Sequence, residues 1–236
     1  MAVRDLQEAA YQANRRLADS GLVLGTFGNV SAIDRQAGLV AIKPSGVAYT
    51  NLSPQQMVVV SLESGRVVDG TLRPSSDTPT HLELYRAFPS VGGIVHTHSE
   101  YATVFAQARE PIRCMGTTHA DYFNGDIPVT RPMTREEIES DYERNTGVVI
   151  VEAFTSRDPL SPRPDEVGAV LVANHGPFVW GPDAMTAIEC AEMLEYVARL
   201  EWRVRAVNFD ASRPDSFLIE KHYRRKHGPS AYYGQK

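Results

Sequence analysis

Apolar residues along the chain switch between a helical and an alternating period, and the switches outline a series of helices and strands. Leu6, Ala9, Ala10, Ala13 and Leu17 recur at helical spacing, and Gly21 stands where a helix C-cap would, so the chain opens on an amphipathic helix. Short apolar runs follow at Asn29–Ile33 and Leu39–Ile42, separated by Asp34 to Gly38, which is hairpin composition. Met57 to Leu62 and Arg66 to Val68, turning at Ser64 and Gly65, predict a second hairpin. Thr78 and Pro79 open a helix that runs through Phe88, with proline in the first turn where its missing N–H costs nothing. A strand at Ile94 to His96 and a helix from Ser99 to Ala108 come next.

In the second half, Thr134 and Glu137 form a capping-box pattern that starts a helix near Glu136. Val148 to Val151 is a β-branched run that argues for a strand, whereas the following Glu152-Ala153-Phe154 would extend a helix. Ser156 to Glu166, with three prolines and five charges, reads as an exposed loop. Ala169 to Ala173 reads as a strand that turns at His175-Gly176-Pro177 into Phe178-Val179-Trp180. A long helix with one apolar face spans Asp183 to Val207, and a shorter one spans Ser216 to Lys226. Strands interleaved with helices, with hairpins early on, imply an α/β layered fold with a mixed or antiparallel sheet.

Composition narrows the class. The 236 residues, 42% hydrophobic and 22% charged, suit one soluble globular domain spanning 1–236. A net charge of −5 offers no electrostatic reason to bind nucleic acid. The start has no signal-peptide core and no run is long enough to span a bilayer, so the cytoplasm is the expected location. Cys114 and Cys190 make no Cys-x-x-Cys pattern and read as small core residues.

The chemistry concentrates in a few segments. In Gly93-Ile94-Val95-His96-Thr97-His98, the two histidines sit two residues apart after an apolar run, so an extended backbone turns both imidazoles to one face. They could form a hydrogen-bonded pair or bind one ion. His175, after a second apolar run, favours the ion, with Asp77 as a possible fourth ligand; three imidazoles and a carboxylate suit zinc or a similar divalent metal. Gly28-Asn29-Val30-Ser31, Lys43-Pro44-Ser45-Gly46 and Pro74-Ser75-Ser76-Asp77 offer amides and hydroxyls, and the second adds an ammonium, which is what a phosphate needs; each alone could equally be a tight turn. Asp121, among small and aromatic residues, could be a general acid or base or a structural carboxylate. Tyr232 and Tyr233, near the C-terminus, hint that the tail is tied down.

These segments, with Gly116-Thr117-Thr118-His119-Ala120-Asp121-Tyr122 and the tail from Lys226-His227-Gly228 to Tyr232-Tyr233-Gly234-Gln235, resemble the class II aldolase and epimerase superfamily, and within it the sugar-phosphate 4-epimerases of arabinose catabolism. The resemblance covers nearly the whole chain. It implies a class II aldolase-like layered fold, with a central, mostly antiparallel sheet flanked by helices. It implies zinc, with manganese or cobalt as possible substitutes, on Asp77, His96, His98 and His175. Phosphate binding falls on Gly28, Asn29, Ser45, Gly46, Ser75 and Ser76, and the acid/base pair on Asp121 and Tyr233. Lys43, Thr117, Tyr142, His222 and Arg225 match supporting polar positions. The implied reaction interconverts L-ribulose 5-phosphate and D-xylulose 5-phosphate by cleaving and re-forming C3–C4, in a homotetramer with sites between neighbouring subunits. The superfamily's aldolases carry glutamate where Asp77 stands, which favours the epimerases. A sibling aldolase, an epimerase of ascorbate utilisation and a non-catalytic adducin-like binding module are the alternatives; retention of all four ligands argues against the last.

Overall fold

The computed structural model describes residues 3–155, 161–229 and 231–233. Seven strands form one sheet: β1 (Asn29–Asp34), β2 (Leu39–Ile42), β3 (Val58–Ser61), β4 (Val67–Asp69), β5 (Gly93–His96), β6 (Ala169–Leu171) and β7 (Pro177–Gly181). Their order is β4-β3-β2-β1-β5-β7-β6 and each neighbouring pair is antiparallel, so of the two sheet types the sequence left open the antiparallel one is formed. The helices are α1 (Val3–Asp19), α2 (Thr78–Ala87), α3 (Glu100–Ala108), α4 (Thr117–Ala120), α5 (Arg135–Glu139), α6 (Tyr142–Thr155), α7 (Ala184–Val207) and α8 (Ser216–Lys226). No described helix is long and apolar enough to cross a membrane.

Strand register fixes which side chains share a face. Asn29 pairs with His96 and His96 with Phe178, while Ser31 pairs with Ile94 and Ile94 with Trp180. Cross-strand partners and residues two apart point the same way, so these six side chains line one face. On that face lie α2 and α6: Ser31 Oγ contacts His81 Nδ1 and Tyr85 Oη of α2 at 2.7 and 2.8 Å, and Trp180 packs edge-on against Phe154 of α6. The other face carries α7, with α1 beside it and tied to it by an Arg16–Glu192 ion pair of 2.8 Å.

The Val148–Val151 run is helical, as part of α6. Val149, Ile150 and Phe154 are buried, so the run sits on a helical stripe facing α2, and tertiary burial overrides the strand preference of its β-branched residues. The Thr134 capping box forms as expected, with Glu137 N–H donating to Thr134 Oγ1 at 3.2 Å. Cys114 is fully buried and Cys190 partly so, packed against the core. In the proline-rich loop, 156–160 lie outside the described residues; 161–166 mix exposed and half-buried positions, and Pro164 accepts the Trp180 indole N–H at 2.8 Å.

Candidate functional site

His96 ends β5, and its Nδ1–H donates to the Pro177 carbonyl at 2.9 Å, which leaves Nε2 as the lone-pair nitrogen. Its ring stacks on Phe178 with centroids 4.2 Å apart. His98 lies just past the strand end on the same face, as i, i+2 spacing requires, and its Nε2 is 3.2 Å from His96 Nε2. His175 comes from a tight turn between β6 and β7, closed by His175 N–H to the Val172 carbonyl (3.0 Å) and Val172 N–H to the Gly176 carbonyl (2.9 Å). One nitrogen of each of the three rings lies within 4.8 Å of the others.

Burial, reinforced by the neighbouring imidazoles, pushes His175 down to about 4, and His98 also below the ordinary histidine range. Neutral rings with converging lone pairs are a cation-binding arrangement. Four-coordinate zinc with bonds near 2.05 Å spaces its nitrogen ligands about 3.3 Å apart, close to the 3.2 Å seen between His96 and His98. The donor set therefore fits a divalent metal.

Asp77 caps α2 and lines the same cavity, which has a volume of about 430 Å³. Its Oδ2 accepts from Asn29 Nδ2 at 2.7 Å. Burial raises the carboxyl's pKa, but His96, His81 and the Asn29 amide outweigh it and hold it below the usual carboxylate range. Its carboxylate is not one of the groups within 4.8 Å, so the structure brings together the three histidines and places Asp77 on the adjacent wall.

The three polar segments converge on this cavity. Gly28, with a φ of 77°, has no Cβ where the His96 carbonyl would stand 2.9 Å away, so the loop lies flush against the strand end. Ser45 N–H donates to the Arg73 carbonyl and Ser75 N–H to the Lys43 carbonyl, both at 3.0 Å, which zips the other two segments together. Gly46 and Ser76 also line the cavity, and neither amide is used in these described backbone bonds. Lys43 is buried, with its ammonium 3.3 Å from the Thr26 carbonyl and 4.7 Å from the Tyr49 ring centre. Burial lowers its pKa, and it makes no carboxylate ion pair among the described residues. Tyr142 also lines the cavity, its Oη 3.3 Å from His175 Nδ1.

The remaining residues singled out in the sequence gather elsewhere. Asp121, just past α4, receives two bonds from the Arg225 guanidinium, at 2.8 and 2.5 Å, and lies 3.1 Å from His222 Nδ1. Burial raises its pKa, but Arg225 and His222 together hold the carboxyl below its ordinary range. Thr117 begins α4, and its carbonyl accepts the Asp121 N–H at 2.9 Å. Tyr233 is half exposed: its N–H donates to the Arg225 carbonyl at 2.9 Å and its ring lies 4.3 Å from the Arg225 guanidinium. The tail is tied down through Tyr233, while Gly234 and Gln235 lie outside the described residues. None of these five residues lines the histidine cavity, so one chain holds two separate polar clusters.

Phe27, Thr26 and Glu143 also line the cavity and were not anticipated. Phe27 is 60% exposed yet stacks near His98 with centroids 5.8 Å apart. An aromatic inside a glycine-bracketed loop beside Gly28-Asn29 was the available signal. Glu143 follows Tyr142 in the first turn of α6, a second helix start just after the one the capping box marks near Glu136.

Residues 8–202 match the model of the Class II Aldolase and Adducin N-terminal domain. Among solved structures, the fold is similar to an L-fuculose 1-phosphate aldolase, 26% identical over 94% of this chain and 95% of that one, with a TM-score of 0.77. It is similar to YgbL of Klebsiella pneumoniae, described as a putative aldolase/epimerase/decarboxylase, at 27% identity over 94% and 99% of the two chains and a TM-score of 0.72. The L-fuculose-1-phosphate aldolase of Thermus thermophilus is 25% identical over 89% and 98%, with a TM-score of 0.67. With an antiparallel sheet whose strand ends bring His96, His98 and His175 together, and a family match over most of its length, this chain belongs to the Class II Aldolase and Adducin N-terminal domain family.

Proposed function

We propose that the protein is an L-ribulose-5-phosphate 4-epimerase, which inverts C4 of a ketose phosphate by breaking and re-forming the C3–C4 bond. C4 is not adjacent to the C2 carbonyl and its hydrogen is not acidic, so C–C cleavage is the accessible route. The observation that carries the reading is the Asp77 carboxylate held on Asn29 beside the three histidines, where the resembling aldolases have a glutamate. His96, His98 and His175 would hold the metal, zinc by preference, with Asp77 as a fourth ligand from the adjacent wall. When bound, that ion acts as a Lewis acid, polarising the C2 carbonyl and stabilising the enediolate charge left by cleavage.

The chain's own residues do the rest. The Ser45 hydroxyl, the Gly46 and Ser76 amides and the Lys43 ammonium, on a wall shared with Ser75 and Asn29, grip the phosphate dianion and retain the two-carbon aldehyde phosphate while it turns over. A base takes the C4 hydroxyl proton as C3–C4 breaks and C4 becomes an aldehyde. After re-addition to the other face, an acid returns a proton to the C4 oxygen. The Asp121 carboxylate, ionised at neutral pH, and the Tyr233 hydroxyl fill these two roles from opposite sides. Because that pair stands apart from the histidine cavity within one chain, the α8 and tail cluster of a neighbouring subunit completes each site in a homotetramer.

The second reading is a sugar-phosphate aldolase, supported by likeness to an L-fuculose 1-phosphate aldolase. Incubating zinc-loaded protein with L-ribulose 5-phosphate distinguishes them. Conversion to D-xylulose 5-phosphate without free fragments supports the epimerase. Accumulation of dihydroxyacetone and glycolaldehyde phosphate would replace it with the aldolase, and no reaction of metal-loaded protein would sink the epimerase.

A further inference from the structure

Of the three histidines, His175 has the least secondary structure around it. His96 belongs to a strand paired on both sides and His98 lies between that strand and α3, whereas His175 sits in the turn between Leu171, the end of β6, and Pro177, the start of β7. Something outside the sheet must set its position. The residue before it, Asn174, has a φ of 63°, in the left-handed region. Arg109, which caps α3, has a φ of 57°, and these two are the non-glycine residues with positive φ among those described. Such a conformation is uncommon for residues carrying a Cβ, asparagine being among those that adopt it most readily.

The two are bonded to each other. Arg109 Nε–H donates to Asn174 Oδ1 at 2.9 Å, Asn174 Nδ2–H donates to the Gln107 carbonyl at 3.3 Å, and Asn174 N–H donates to the Ala106 carbonyl at 2.8 Å. Three groups at the C-terminal end of α3 therefore grip one residue of the turn. The Gln107 carbonyl is among those a helix end leaves without an intrahelical partner, and the Ala106 carbonyl accepts the Arg109 N–H at 3.2 Å as well as the Asn174 N–H. The same helix begins two residues beyond His98, with Ser99 between them as its N-cap. α3 thus couples the place of His98 at one end to the backbone next to His175 at the other.

Resting on the reading of the three histidines as metal ligands, we infer that Asn174 is a positioning residue for His175. Its clasp to the end of α3 sets how tightly the three-histidine site holds a divalent metal. Asn174 touches neither substrate nor metal in this account; it aims the ligand.

The test uses metal-free full-length protein, zinc titrated in competition with a chromophoric chelator, and thermal melting of the metal-free forms. Asn174→Ala should weaken zinc binding about tenfold or more, as loss of groups that orient a ligand does. Asn174→Asp keeps the acceptor for Arg109 and should recover most of that loss. Arg109→Met removes the donor while keeping the side-chain stem, and should weaken zinc about fivefold, the equivalent of one hydrogen bond. Should Asn174→Ala fail to fold, Arg109→Met decides alone. Zinc affinity unchanged in Arg109→Met and Asn174→Ala overturns the inference, as does a lower metal-free melting temperature with zinc affinity intact. Wild-type protein that takes up no zinc would overturn the metal reading and the clasp with it.

Discussion

Gly176→Ala probes the histidine site through a contact rather than through a ligand. A Cβ at residue 176 would lie 2.8 Å from the Thr97 carbonyl oxygen and 3.5 Å from His98 Cδ2. The carbonyl belongs to the residue between His96 and His98, which is buried and whose own N–H donates to the Pro177 carbonyl at 3.4 Å. Backbone on both sides of the clash leaves no flexible side-chain end to swing away. Reaching the 3.4 Å of ordinary van der Waals contact means separating the His175 turn from the strand end by about 0.6 Å. Metal–ligand bonds tolerate only about ±0.2 Å, so relief of the clash misplaces His175 relative to the other two rings. The overpacking itself costs about 1–3 kcal/mol. That lowers the metal-free melting temperature by roughly 2–4 °C per kcal/mol in a chain of this size. Zinc affinity, read by chelator competition, should fall about tenfold or more. A variant that melts like wild type and binds zinc as tightly would refute the claim that the turn and the strand end are locked together at this glycine.

Other perturbations separate the parts of the account. His98→Asn should lower metal content and turnover together, and full activity without bound metal would remove His98 from the ligand set. Tyr233→Phe should keep the metal and the fold while slowing turnover by about 10²-fold; an unchanged rate would return the tail to a structural role. His119 is buried, with Nε2 2.8 Å from the Gly125 carbonyl, and burial pushes it down to about 4. An unfolded histidine titrates near 6.5, so between the two values the unfolded chain binds more protons. The stability is complete above about 6.5 and is lost as pH falls towards about 4, by at most about 3 kcal/mol. His119→Gln should make the fall of denaturation midpoints over that range shallower, with His175 and His98 supplying the rest, and an equally steep fall would show that His119 is not responsible.

The parts of the site carried by regular structure were legible in the sequence. The two-residue spacing of His96 and His98 after an apolar run puts them on one face, and β5 holds them so. The capping box at Thr134 and the long helix α7 also followed from local chemistry. What escaped depends on approach in three dimensions. The Val148–Val151 run is helical because α2 covers it, which its own residues do not state. The short α4, the exposed Phe27 beside His98 and the left-handed Asn174 leave no periodic trace in the sequence. Asp121 could be read as a functional carboxylate, but its grip by Arg225 and its separation from the histidine cavity could not, because both depend on where α8 comes to rest.

Elemental analysis counts the divalent ion proposed to sit between histidines of two separate segments. Zinc-loaded wild-type protein, freed of excess metal, should retain about one zinc per chain, and His96→Ala and His175→Ala should each lose it while remaining folded. Wild-type protein without stoichiometric metal, or variants that keep it undiminished, would rule out a three-histidine metal site.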